Sequence, residues 1–141
     1  MTREEFRALV EEAIDTIPPR FAREMRNLAI VIEDQPSEDL LEELEMGPDD
    51  ILLGLYQGTP LNQRSGYGNE LPDRITLFQY EIEDDANGDE DEIVIAIGET
   101  LIHELGHYFG LEEDEIMEIE ERYWRGEPDP AEVEDEDKTK E

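Results

Sequence analysis

The sequence predicts an α+β domain built on a small sheet of about three strands, and three observations carry that prediction. Short runs rich in β-branched and apolar residues lie at positions 27–33, 51–56 and 74–82. Apolar residues recur at helical spacing near both ends, at positions 2–16 and 113–124. Between the last strand and the last helix lies a largely apolar stretch, positions 91–109, long enough for a helix buried on most sides.

The first helix opens with Thr2 and Glu5 in the S/T-x-x-E spacing of a capping box, and Phe6, Leu9, Val10, Ala13, Ile14 and Ile17 form its apolar stripe. Pro18-Pro19 ends it. Positions 27–33 form the first strand, Asp34-Gln35-Pro36 turns the chain, and Ser37 caps a short helix over 37–45. Positions 51–56 form the second strand, in which Gly54 marks a bulge or a close backbone approach. A loop rich in Gly, Pro and Asn follows at 57–73, longer than a plain connection needs. The alternation at 74–82 predicts the third strand, and its edge is expected to be open.

Positions 83–92 are acidic and turn-prone. Asp85, Asn87 and Asp89 have a D-x-N-x-D spacing, but Gly88 and the following acids are out of place for a calcium loop, so the stretch reads as a linker. Gly110 lies where a left-handed residue would stop the 91–109 helix, and acids in the first turn of the 113–124 helix face the positive end of its dipole. The folded domain is expected over 1–125, followed by an acidic, disordered tail over 126–141.

Function points to one place. His103-Glu104-Leu105-Gly106-His107 matches H-E-x-x-H, and the chain has no other histidine. Imidazoles four residues apart share one face of a helix, with their Cβ atoms about 5–6 Å apart. Both can then reach one Zn²⁺ ion at roughly 2.0–2.1 Å. Glu104 follows the first imidazole by about 100° around the helix, beside the ion, where a general base for a water belongs. A catalytic zinc takes three protein ligands. The spacing H-E-x-x-H-x-x-G-x-x-E offers Glu113 as the third, ahead of Asp114. Glu112 and Glu115 are also near, and Glu118, Glu120 or Glu121 could return from the next helix. Tyr108, Tyr67 and Arg64 are candidates to meet a developing oxyanion. The many acids nearby are expected to favour protonated imidazoles.

The pattern predicts a zinc hydrolase acting on peptide or protein substrates, bound by strand addition to the open edge of 74–82. The alternative is a metal-binding interaction module with little or no hydrolysis. Serine is scarce and cysteine absent, so Ser-His-Asp and Cys-His chemistry lack material. The 42 acidic residues against 11 basic ones give a formal charge of −31, a field that repels nucleic acid and anionic membranes. The absence of cysteine, of a membrane-length apolar run and of a secretory leader leads us to expect a cytoplasmic monomer.

Three segments, LAIVIEDQP, LLGLYQGTPLNQRSGYGNELPDRITLF and ETLIHELGHYFGLEEDEI, resemble the small bacterial zincin-like metallopeptidases. The family pattern near the metal is close to H-E-x-x-H-H-F-G followed by acids. His103, Glu104, His107, Phe109 and Gly110 fit it, and Tyr108 replaces the usual adjacent histidine. The resemblance implies a minimal zincin fold, with helices on a small mixed sheet and one metal between the H-E-x-x-H helix and the chain after it. It also implies a cytoplasmic peptidase.

Overall fold

The computed structural model describes residues 1–47, 49–63 and 73–131. Among these, six α-helices surround a three-stranded mixed sheet, the architecture of a minimal zincin fold. Helix α1, Arg3–Ile14, starts as its sequence requires: the Thr2 hydroxyl accepts from the Glu5 N–H, and the Glu5 side chain reaches back to the Thr2 backbone. Phe6, Val10 and Ala13 bury its inner face. Pro18-Pro19 does end α1, but Pro19 also opens a further helix, α2 (Pro19–Glu24). A proline fits the first turn of a helix, where its missing N–H has no partner to lose.

The strands are β1 (Ala29–Glu33), β2 (Gly54–Gln57) and β3 (Arg74–Phe78), and α3 (Glu38–Glu43) lies between the first two with Ser37 as its cap. Their order is β1-β3-β2. β1 runs parallel to β3, with Ala29 opposite Arg74, and β2 runs antiparallel to it, with Tyr56 opposite Ile75. β3 is therefore the central strand. This corrects the expectation that positions 74–82 offer an open edge: among the described strands, β1 and β2 are the outer ones. Residues from both faces of β3 are buried, Ile75 and Leu77 as well as Thr76 and Phe78, as in a strand covered on each side.

The third strand is also shorter than its sequence predicts. Gln79–Asp85 forms helix α4, because the pairing of β3 ends at Phe78 with β1 and at Leu77 with β2. Past that point Gln79, Ile82 and Ala86 are buried at helical spacing, while Tyr80 is 51% exposed. The middle of the acidic stretch read as a linker, residues 86–89, connects two helices. Asn87 and Gly88 take positive φ, and the Asp89 carboxylate caps α5 (Glu90–Phe109) by accepting from the Glu92 N–H at 3.1 Å.

Helix α5 is the centre of the molecule. Ile93, Ile97, Leu101, Ile102 and Leu105 are fully buried among α1, the sheet and α6 (Glu113–Arg125). Each such side chain contributes about 1.5–3 kcal/mol on burial, so the helix that carries the histidines is also the best anchored. Gly54 is the close approach its place in a strand suggested: a Cβ there would lie 2.5 Å from Thr100 Cγ2. That contact presses β2 onto α5. Beyond α6, the chain carries Asp129, which is 2% exposed and accepts two hydrogen bonds from Arg20, at 2.6 and 3.1 Å. Residues 132–141 of the expected tail lie outside the described residues. No described helix is long and apolar enough to cross a membrane.

Candidate active site

The last turns of α5 present His103, Glu104 and His107 together, with ligand atoms all within 4.8 Å of one another. The two imidazoles meet edge to face, ring centres 4.8 Å apart. Both rings are partly open to solvent, whereas Glu104 is only 8% exposed. Gly110 ends the helix in the left-handed conformation, φ 79°, and the Leu111 N–H donates to the Gly106 carbonyl at 2.9 Å. The chain then reverses and returns as α6 over the same face.

How closely α6 returns is set by glycines on α5. A Cβ on Gly106 would lie 2.5 Å from Ile116 Cγ1, and one on Gly98 would lie 2.0 Å from the Tyr123 hydroxyl oxygen. Bare backbone at these points lets α6 pack against α5 and brings two of its acids to the imidazoles. Glu120 Oε1 lies 2.9 Å from His103 Nδ1. A carboxylate only accepts, so Nδ1 carries the proton and Nε2 keeps its lone pair for a metal. Glu113 Oε1 lies 3.5 Å from His107 Nε2. Two ligands of one tetrahedral zinc, bound at roughly 2.0–2.2 Å, are about 3.4 Å apart. The donor set, two imidazoles with carboxylates at hand and no sulfur, fits a zinc site of the catalytic type.

Three of the remaining acids have other partners. Glu112 and Glu115 form a capping box at the start of α6, and Glu118 faces Arg122 at 3.6 Å. Asp114 is exposed in the first turn, and no hydrogen bond or ion pair joins it to either imidazole among the described residues. Tyr108 turns into the core, 3% exposed, and donates to Glu24 Oε2 at 3.0 Å. Arg64 and Tyr67 lie outside the described residues.

One partner has no signature in the sequence. The Tyr56 backbone N–H donates to Glu104 Oε1 at 2.7 Å, tying the edge of β2 to the acid of the motif. Burial lifts the Glu104 carboxyl to about 7, against the Tyr56 N–H and His103, which hold it down. The imidazoles shift in opposite directions. The hydrogen bond to Glu120 raises His103, whereas burial, followed by the His103 charge, lowers His107. The expectation that neighbouring acids favour protonation therefore holds for one ring only, because desolvation outweighs Glu113 at the other.

The sequence model of the family described as Zincin-like metallopeptidase matches residues 25–123. The chain belongs to the zincin-like metallopeptidase family. The match runs from the residues before β1 to the last turns of α6, so it includes the whole sheet, both histidines, Glu104, Glu113 and Glu120. A comparison with curated proteins finds none that matches. Membership implies metallopeptidase chemistry, zinc as the metal, and peptides or proteins as substrates. Among the described residues, His103, Glu104 and His107 form a cluster that could hold such an ion.

Proposed function

We propose that this zincin-like chain is a zinc-dependent peptidase in which His103 and His107 hold one Zn²⁺ and Glu113 completes the protein ligands. Glu104 is its general base. One observation carries the reading: the two imidazoles and the buried Glu104 carboxylate converge within 4.8 Å, with Glu104 fixed by the Tyr56 N–H. The bound ion supplies Lewis acidity, making a water nucleophilic near neutral pH and polarising the substrate carbonyl.

The chain's own groups do the rest. Glu120 holds His103 in the tautomer that offers Nε2. Glu104, with its carboxyl near 7, is matched to take a proton from the attacking water and return it to the leaving amine as the peptide C–N bond breaks. Substrate lies along β2 rather than β3. The Tyr56 N–H points away from β3 towards Glu104, so an extended peptide added to that edge passes the base.

Zinc-loaded protein is expected to cleave casein or a peptide library, and a chelator should abolish the cleavage. Glu104→Gln should still bind one zinc while turnover falls by about 10²–10⁴-fold. Equal turnover in that variant contradicts the role of Glu104, and no cleavage by the zinc-loaded wild type contradicts the peptidase reading.

A further inference from the structure

A cavity of about 290 Å³ opens directly beside the reactive residues, with His103 and Glu104 in its wall. Ligand pockets commonly run from about 300 to 1,000 Å³, so this one suits a single side chain better than a whole small molecule. Ile51, Leu52 and Leu53, the residues leading into β2, give it an aliphatic side. Ile51 is 62% exposed and has no place in the core. Glu99 and Glu120 give it an acidic side.

Glu99 is the group without an explanation. It projects from α5 one turn before His103, and its Oε1 is buried with no hydrogen-bond partner among the described residues. Neither Glu99 nor Glu120 forms an ion pair with a lysine or arginine among the described residues, and Glu120 is engaged by His103. Burial, with the charges of Glu120, Asp85 and Glu92, pushes the Glu99 carboxyl up to about 7. A carboxylate desolvated in this way is best relieved by an incoming cation. Aliphatic walls leading to a carboxylate match the two halves of a lysine or arginine side chain, an apolar stem and a charged head.

We propose that this cavity is a specificity subsite that takes a lysine or arginine side chain beside the scissile bond, with Glu99 reading its charge. The inference rests on the peptidase reading above. It narrows the substrate class to peptides with a basic residue at one fixed position. The fixed position separates it from the general field, because a net charge of −31 attracts a basic peptide wherever its lysine lies.

The test uses neutral peptides in which a single lysine, or norleucine in its place, is moved along the sequence. Binding to zinc-loaded Glu104→Gln protein is read by fluorescence anisotropy, and cleavage is followed in parallel with the wild type. Lysine should bind about tenfold tighter than norleucine at one position only, the worth of a charge-assisted hydrogen bond. Adding Glu99→Gln should bring that ratio to near one, whereas adding Glu12→Gln, which removes an exposed charge on α1, should leave it intact. Equal ratios at every position, or a preference that survives Glu99→Gln, overturn the subsite. Cleavage without lysine preference overturns the subsite and leaves the peptidase standing. Position-specific lysine binding without any cleavage upholds the cavity as a basic side-chain site and overturns the peptidase reading alone.

Discussion

Helices α5 and α6 meet at the same two imidazoles but are built in opposite ways. α5 is apolar on most sides and locked between α1, the sheet and α6, so the directions of His103 and His107 follow from core packing. α6 buries little beyond Ile116 and Ile119 and lines its exposed faces with acids. It contributes through a few contacts, above all Ile116 against Gly106, and through Glu113 and Glu120, seven residues apart on one face. On the function proposed above, the difference teaches that one helix would fix where an ion sits, while the other would set how strongly it is held.

Removing Glu113, the ligand proposed from α6, should have the largest effect on that division of labour. Glu113→Ala is expected to weaken zinc binding, measured by competition with a chromogenic chelator, by more than the roughly 100-fold upper limit typical of an outer partner. Asp114→Ala should leave it unchanged, and equal losses would remove Glu113 from the site. Glu120→Ala comes next, with a loss of about 10–100-fold. It should also move to lower pH the point at which zinc affinity begins to fall with acidification. The Glu120 hydrogen bond raises the His103 pKa, and only neutral imidazole binds metal, so without Glu120 protons compete less well.

A third change breaks the contact between the helices rather than either acid. Gly106→Ala places a Cβ against Ile116, and overpacking of that kind costs about 1–3 kcal/mol in denaturant unfolding of the zinc-free protein. Ile116→Ala in the same chain should recover part of the loss. The smallest expected effect concerns pH. The Glu99 carboxyl rises from 4.5 to about 7 on folding, so the folded state binds the proton more readily. That contribution is present below about 4.5 and is lost as pH rises through 7. Glu99→Gln should therefore stabilise the zinc-free protein at pH 8, by roughly 1 kcal/mol after solvent screening, and the advantage should vanish at pH 4.5. The same advantage at both pH values would contradict a desolvated carboxyl.

Features written locally were legible in the sequence. The Thr2 and Ser37 caps, the Gly110 stop and the H-E-x-x-H spacing each depend on a few neighbouring residues, and all appear where the pattern puts them. Gly54 announced a close approach, though not that Thr100 is the neighbour. What could not be read depends on partners distant in the chain. The span 74–82 alternates well enough for a strand, but only the lengths of β1 and β2 stop the ladder at Phe78 and turn Gln79–Asp85 into a helix. Its central place in the sheet follows from topology, which has no local mark. The Tyr56 N–H on Glu104 is a backbone group, invisible to any motif. Glu120 was one of several acids the sequence offered as a ligand from α6, and abundance kept its contact with His103 from standing out; its shared face with Glu113 and the bare Gly106 are the signals that single it out.

The central claim is that imidazoles 103 and 107 share one ion with an oxygen ligand from α6. X-ray absorption spectroscopy on protein loaded with one equivalent of zinc tests it most directly. The account predicts two imidazole nitrogens at roughly 2.0–2.1 Å and oxygen neighbours in the remaining positions, with one imidazole lost in His103→Ala and one in His107→Ala. A shell made of oxygen alone, or one unchanged by either substitution, would contradict it.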